Sequence, residues 1–212
     1  MGAPRLVPSR YPSVGLLDRV ASSADLDALF ELESWTNDRI NGELGLLRTI
    51  PREEWVTGRP MASVIMAAFC HPRYGGGRFS SGERGAWYAA RGIETALAES
   101  IYHRTAELRE VGGFETRLEM RVYLADFNAR FVDVRSASAP RALYDPSSYV
   151  ESQRFAQTVL ESEGNGIAYT SVRHPAGECL ACFRPALLRN VRVGGYYEFR
   201  WSGRPEPSVK KL

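Results

Sequence analysis

The sequence predicts a single α+β domain in which a mainly antiparallel sheet is flanked by helices. Residues 114–124 alternate between apolar and charged side chains, which is typical of a half-buried antiparallel strand. Residues 93–101 instead repeat their apolar side chains at helical spacing. The chain has 212 residues, 44% of them hydrophobic and 11% aromatic, which suits one domain with a substantial core.

The first third of the chain is predicted to add a helical region to this domain. Residues 1–12 are rich in proline and basic side chains and indicate an extended arm. A strand is possible over residues 14–20, and a capped amphipathic helix is predicted over residues 24–39. Residues 61–69 are apolar, and the pattern does not separate a buried helix from a buried strand. The addition spans about residues 24–70.

Residues 75–103 carry the strongest functional signal. They open with three glycines, pass through Arg78 and a short predicted strand over residues 86–90, and end in a helix that carries Glu99. Glycine lets the backbone approach a ligand closely, and a guanidinium offers a planar set of donors for a phosphate. The spacing matches neither the P-loop nor the Rossmann pattern. It predicts an anion-binding loop followed by a carboxylate, and the alternative is a surface turn with a solvated glutamate.

Glu99 and His103 are four residues apart, so they share one face of the predicted helix. That face borders the apolar stripe, which predicts that both side chains lie at the edge of the core and face a cleft. His103 could orient Glu99 or assist an acceptor, and it could equally be a surface imidazole.

A second helix and the remaining strands are predicted downstream. A turn at Asp145 and Pro146, followed by a capping box of Ser148 and Glu151, predicts a helix that ends near residue 161. Further strands are predicted over residues 130–134, beside 114–124, and over residues 167–172, 179–183, 187–193 and 196–201. The predicted organisation is an arm over 1–12, a domain over 13–203 and a flexible tail over 204–212.

The composition argues against several classes of protein. The net charge is only +2, which does not indicate nucleic-acid binding. A toxin that cleaves RNA would be expected to have a basic face that carries aromatic side chains, and the near-neutral charge argues against it. No apolar run suits a secretory signal or a membrane span, so a cytoplasmic protein is expected. Cys179 and Cys182 form a CxxC, but residues three apart on a strand point to opposite faces. Buried thiols are therefore expected in place of a zinc site, and no metal is expected to be required.

These residues resemble the RES domain family. The run from Gly76 to Ser80, followed by WYAA and ETALAE, resembles the first signature of that family. Residues 166–185, GIAYTSVRHPAGECLACFRP, are similar to its C-terminal signature. The resemblance maps the arginine, glutamate and serine that name the family onto Arg78, Glu99 and Ser171. It implies a split sheet like that of ADP-ribosyltransferase toxins, with NAD as the substrate.

The resemblance also implies roles for individual side chains. The implied catalytic residues are Arg78, Glu99 and Ser171, and the implied NAD-binding residues are Arg78, Tyr88, Arg19, His103 and Tyr169. Arg78 would hold a phosphate, Tyr88 would stack on the flat nicotinamide cation, and Glu99 would stabilise positive charge on the ribose. Ser171 would position the nicotinamide end. Tyr169 is two residues before Ser171 on the predicted strand, so the two side chains face the same side.

The implied function is that of a toxin in a bacterial toxin–antitoxin pair, held inactive by an antitoxin that occludes the cleft. Consumption of NAD by hydrolysis or phosphorolysis is the favoured reaction. ADP-ribosylation of a bacterial protein is the first alternative, with that protein as acceptor. A non-catalytic nucleotide-binding module is an alternative of another class. Neither nucleic acid nor a membrane is an expected partner.

Overall fold

The computed structural model describes residues 2–11, 15–18, 47 and 49–212. The strands are β1 (Ala3–Pro8), β2 (Trp87–Ala90), β3 (Glu115–Asp126), β4 (Val132–Asp133), β5 (Gly166–Thr170), β6 (Glu178–Cys182), β7 (Arg189–Ser202) and β8 (Ser208–Lys211). The α-helices are α1 (Ala62–Cys70), α2 (Ile93–Glu110) and α3 (Val150–Glu161). The strands form two sheets, in the orders β1-β3-β7-β8 and β2-β6-β5-β4. Pairing is antiparallel except between β4 and β5, so the predicted α+β class with a mainly antiparallel split sheet is confirmed.

The first sheet is built around β3, which pairs with β1 on one side and β7 on the other. Met120 is buried against Phe199 and Trp201, in a cluster that the apolar side of α2 covers. Further along the strand, Tyr123 and Ala125 are buried in a second cluster together with α1. The predicted strand is therefore half-buried only at its beginning, because α2 and α1 cover opposite faces at its end.

The second sheet carries the two cysteines of the CxxC on β6. Cys179 and Cys182 belong to different core clusters, which confirms that they point to opposite faces. Both are free and buried, as is Cys70. Within the described ranges, no group of three or more histidine, cysteine or acidic side chains is placed to hold a metal ion.

Two of the predictions for strands are wrong. Leu16–Asp18 forms a turn of 3-10 helix in place of the strand predicted over 14–20. The Asp18 carboxylate accepts the N–H groups of Met61 at 2.7 Å and Ser63 at 2.8 Å, which ties this turn to the start of α1. Residues 130–134 pair through β4 with β5 of the second sheet and not with β3, because the Val134 N–H donates to the Ala168 carbonyl.

The predicted capping box is also wrong. Helix α3 begins after Tyr149, and no side chain caps it. The carboxylate of Asp145 instead accepts the N–H groups of Ser147 at 2.7 Å and Ser148 at 3.1 Å, so the polar side chains of this segment close the preceding turn. The helix itself ends at Glu161, as predicted.

Both chain ends are parts of the first sheet. Within the predicted arm, Ala3–Pro8 pairs along its length with β3. Within the predicted flexible tail, Ser208–Lys211 pairs with Tyr197–Arg200, because the outer edge of β7 offers unpaired backbone groups. Residues 61–69 form most of helix α1, which settles the helix-or-strand alternative. The predicted helix over 24–39 lies outside the described residues, and no described helix is long and apolar enough to cross a membrane.

Candidate active site

A cavity of about 850 Å³ is bordered by β1, α1, β2, α2 and the glycine-rich segment before β2. Its wall includes five of the predicted site residues, namely Arg78, Tyr88, Glu99, His103 and Tyr169. The hydroxyl of Ser171, the next predicted site residue, donates a hydrogen bond to Glu99. The remaining predicted site residue, Arg19, lies outside the described residues. A cavity of this volume suits a ligand larger than a single nucleotide base.

The glycine loop, defined as residues 75–80, is held in one tight shape. Gly75 and Gly76 adopt φ values of +73° and +79°, a region that side chains with a Cβ rarely occupy. The hydroxyl of Tyr88 accepts the Phe79 N–H at 2.9 Å and donates to the Ser80 hydroxyl at 3.0 Å. Burial raises the pKa of Tyr88 to about 12, so this hydroxyl stays protonated and keeps donating. Tyr88 therefore anchors the loop while its ring lines the cavity.

Gly76→Ala is expected to destabilise the protein more than Gly75→Ala. Both substitutions place a Cβ at positive φ, which costs about 1–2 kcal/mol. Only at Gly76 would that Cβ meet backbone, at 2.2 Å from the Ser80 carbonyl oxygen, whereas nothing lies within 4 Å at Gly75. Urea unfolding of the two variants measures the difference, and equal losses of unfolding free energy would contradict the tight loop.

Arg78 projects from this loop and is only 7% exposed. Its Nη1 donates to the carbonyl oxygens of Leu143 and Asp145, both at 2.9 Å, and its guanidinium lies 4.8 Å from the centre of the Tyr149 ring. Its Nη2 is buried and has no hydrogen-bond partner among the described residues. Since an unsatisfied buried donor is costly, this nitrogen marks a position that an anion would satisfy.

A second arginine, Arg5 of β1, lines the same cavity and was missed in the sequence. It lies over the Trp87 ring at 4.9 Å, and its Nη1 is 3.4 Å from the carbonyls of Ala86 and Tyr88. No described carboxylate pairs with it, and burial lowers its pKa to about 10. Its position depends on the pairing of β1 with β3, which no local pattern around residue 5 indicates.

Glu99 is oriented by Ser171, which follows β5. The Ser171 hydroxyl donates to Glu99 Oε1 at 2.6 Å and accepts the N–H groups of Arg173 at 3.0 Å and His174 at 2.9 Å. The single hydroxyl proton of Ser171 is thus committed to the carboxylate. Oε2 of Glu99 accepts no hydrogen bond from the described residues, so one oxygen of a fixed carboxylate remains available.

His103 lies beside Glu99, as the spacing of four predicted, with Nε2 4.0 Å from Oε2 of Glu99. Its Nδ1 is 3.0 Å from Nη1 of Arg73. An arginine can only donate, so Nδ1 accepts and the proton of the neutral ring is on Nε2, toward Glu99. Burial, followed by the nearby charges of Arg73 and Arg104, lowers the pKa of His103 to about 4. The ring is therefore neutral at physiological pH.

This low pKa predicts a loss of stability in acid. Between pH 6.5 and pH 4 the unfolded chain binds a proton at His103 that the folded protein does not bind. The free energy of unfolding should therefore fall as the pH drops through this window, by about 1–2 kcal/mol after allowance for solvent screening. Urea unfolding at pH 7 and pH 5 measures the fall, and a His103→Gln variant should show less of it. The same pH dependence in both proteins would contradict the assignment.

Tyr169 forms part of the cavity wall from β5. Its ring meets the Phe79 ring edge-on, with centres 4.9 Å apart, and it is 6% exposed. Burial raises its pKa well above the usual value, so its hydroxyl stays protonated. Because Phe79 follows Arg78 in the chain, this contact packs the glycine loop against the second sheet.

Comparison with known proteins identifies relatives of this chain. The family model of the RES domain matches residues 47–202. The uncharacterized protein y4oC of Sinorhizobium fredii (strain NBRC 101917 / NGR234) is 31% identical over 201 residues, which cover 94% of this chain and 82% of that protein. Among solved structures, a chain of the M. tuberculosis MbcT–MbcA toxin–antitoxin complex is similar with a TM-score of 0.46 and 9% identity, covering 63% of this chain and 76% of that chain.

Proposed function

The chain belongs to the RES domain family, and on this premise we propose that it is the toxin of a bacterial toxin–antitoxin pair that cleaves the nicotinamide–ribose bond of NAD. One observation carries the proposal. A single cavity holds a buried guanidinium with an unused donor, on Arg78, and a carboxylate with an unused oxygen, on Glu99. The positive charge of Arg78 would bind the pyrophosphate of NAD, and the negative charge of Glu99 would stabilise the ribose cation.

The phosphate side of the proposal depends on the arginines. Nη2 of Arg78 has no partner among the described residues, and a phosphate oxygen would give it one. Arg5 brings a second positive charge to the same cavity without a described counter-ion. The two arginines together would bind the pyrophosphate. Arg19, which the resemblance implies as a second phosphate contact, lies outside the described residues and stays a prediction.

The carboxylate side depends on Glu99. Cleavage of the nicotinamide–ribose bond leaves positive charge on the sugar carbon, as in other glycosyl transfers. A carboxylate that is already oriented stabilises this charge without reorganisation during the reaction. Ser171 supplies that orientation through Oε1, and the neutral His103 borders Oε2. Through this contact Ser171 would act as a positioning residue, and its contact with the nicotinamide end, which the resemblance implies, stays a prediction.

Nicotinamide release from NAD by the purified chain tests the proposal. The reaction is followed by chromatography, with and without inorganic phosphate. Release in both buffers, with ADP-ribose as the other product, would mean that water is the acceptor. Release that requires phosphate, with a phosphorylated ADP-ribose as product, would mean phosphorolysis.

Two other results would exclude hydrolysis and phosphorolysis of NAD, and each would favour a different function. NAD that binds without any release would favour a non-catalytic nucleotide-binding module. Transfer of label from NAD to a protein of a bacterial lysate, without release in buffer alone, would favour ADP-ribosylation of a specific protein.

The proposed partner is an antitoxin that occludes this cavity. The wall carries Arg5, Arg73, Arg78 and Arg104, and an acidic side chain or a C-terminal carboxylate of the antitoxin would compete for them. Competition between the antitoxin and ADP-ribose for the purified chain would support this mode of inhibition. Simultaneous binding of both would contradict it.

A further inference from the structure

One side chain of α3 contacts the glycine loop at three points. Nε2 of Gln153 lies 2.8 Å from the carbonyl oxygen of Gly75, 3.0 Å from that of Gly77 and 3.2 Å from that of Ser80. The two N–H groups of this amide are shared among three acceptors. The side chain of Gln153 therefore contacts the beginning, the middle and the end of the loop.

Gln153 lies on the far side of the loop from the active-site cavity. It borders a separate small cavity of about 50 Å³, together with Phe79 and Ser81. Gly77 and Arg78, in contrast, line the large cavity. The glycine loop is thus a layer between Gln153 and the proposed NAD site.

The bonds to Gln153 determine where the loop's N–H groups point. In a trans peptide the C=O of one residue and the N–H of the next point in opposite directions. Since the Gly77 carbonyl points to Gln153, the Arg78 N–H points away from Gln153, toward the side on which the cavity lies. This N–H makes no hydrogen bond to any residue that the structure describes.

We propose that Gln153 is a positioning residue, which holds the loop so that the backbone N–H and the Nη2 of Arg78 bind one phosphate group together. The same helix also supports the guanidinium, because the Tyr149 ring precedes the first turn of α3 and lies 4.8 Å from it. A backbone N–H beside a guanidinium is a strong anion site, since both donors are pre-oriented. The identification of the anion as a phosphate of NAD rests on the proposed function.

The experiment uses two substitutions of Gln153 and a matched control. Gln153→Met keeps the approximate size of the side chain and removes the donors without adding charge. Gln153→Glu keeps the shape and replaces the donors with acceptors. The control is Gln157→Glu, one turn further along α3. This substitution adds the same charge as Gln153→Glu, and among the described residues Gln157 donates only to Glu161.

Binding of ADP is measured by calorimetry on the full chain, alongside the unfolding temperature of each variant. We expect the dissociation constant for ADP to rise about ten-fold in Gln153→Met and at least as much in Gln153→Glu. The control should stay within about two-fold of the wild type. Gln153 variants that unfold at lower temperature but bind ADP normally would reduce Gln153 to a structural role and overturn the inference.

Steady-state kinetics give a second readout that loss of stability alone would not produce. Since the contacts of Gln153 are with the loop and not with Glu99, KM for NAD should rise about ten-fold while kcat stays within about two-fold. A fall in kcat at unchanged KM would contradict the inference.

ADP binding requires no cleavage, so a wild-type chain that binds ADP but releases no nicotinamide would remove the proposed function and leave this inference standing. A wild-type chain that does not bind ADP would overturn the anion site itself.

Discussion

Glu99→Gln is expected to lower nicotinamide release from NAD by about 10³-fold, because the amide carries no negative charge to stabilise the ribose cation. The substitution keeps the size of the side chain, and the amide oxygen can still accept the hydrogen bond of the Ser171 hydroxyl. The fold and the affinity for ADP-ribose should therefore change little. Chromatographic assays of release and calorimetry with ADP-ribose measure the two quantities separately.

The matched control for this substitution is Glu94→Gln, an exposed carboxylate in the first turn of the same helix. It should retain the activity of the wild type. Expression of the wild-type chain in bacteria should also arrest growth, and the Glu99→Gln variant should not. Undiminished nicotinamide release by Glu99→Gln would show that the carboxylate does not take part in the reaction.

Arg78→Ala is expected to weaken the binding of ADP-ribose by about 100-fold, since the guanidinium would make charge-assisted hydrogen bonds to a phosphate in a buried position. The same substitution leaves the carbonyls of Leu143 and Asp145 without their donor, which should lower the free energy of unfolding by about 1–3 kcal/mol. Calorimetry at a temperature where the variant remains folded separates the loss of affinity from the loss of stability.

Two further variants sharpen the test of Arg78. Arg78→Lys keeps the positive charge but loses the fork that reaches two carbonyls and a ligand at once, so its affinity should lie between those of the wild type and Arg78→Ala. Arg117→Ala removes an exposed charge of β3, distant in the chain from the glycine loop, and should leave the affinity unchanged. Normal binding of ADP-ribose by Arg78→Ala would exclude this guanidinium from the phosphate site.

The parts of the site that could be predicted from the sequence are those that depend on neighbours in the chain. The glycines at positive φ, the helix after Gly92 and the shared face of Glu99 and His103 all follow from local conformational preferences. Their residue types and spacing also carried the resemblance to the RES domain family, which the family match confirms.

The parts that the sequence predicted wrongly depend on which distant strand supplies a partner. Residues 130–134 have the composition of a strand, but their pairing with β5 and not β3 depends on how the chain turns after β3. The C-terminal residues look polar and flexible, yet they extend the first sheet because β7 presents an open edge. Backbone hydrogen bonds supply the stabilisation there, and these bonds leave no trace in hydropathy.

By itself, the sequence determined the fold class, the family and the residue types of the site, because helical and strand periods and glycine conformation are local properties. Only the tertiary structure decided how those residues act together. The hydrogen bond of Ser171 to Glu99 joins positions 72 residues apart, and the contact of Gln153 with Gly75 spans 78. Arg5 reaches the cavity through strand pairing with β3. Contacts over such separations arise from the packing of whole elements, which no short stretch of residues specifies.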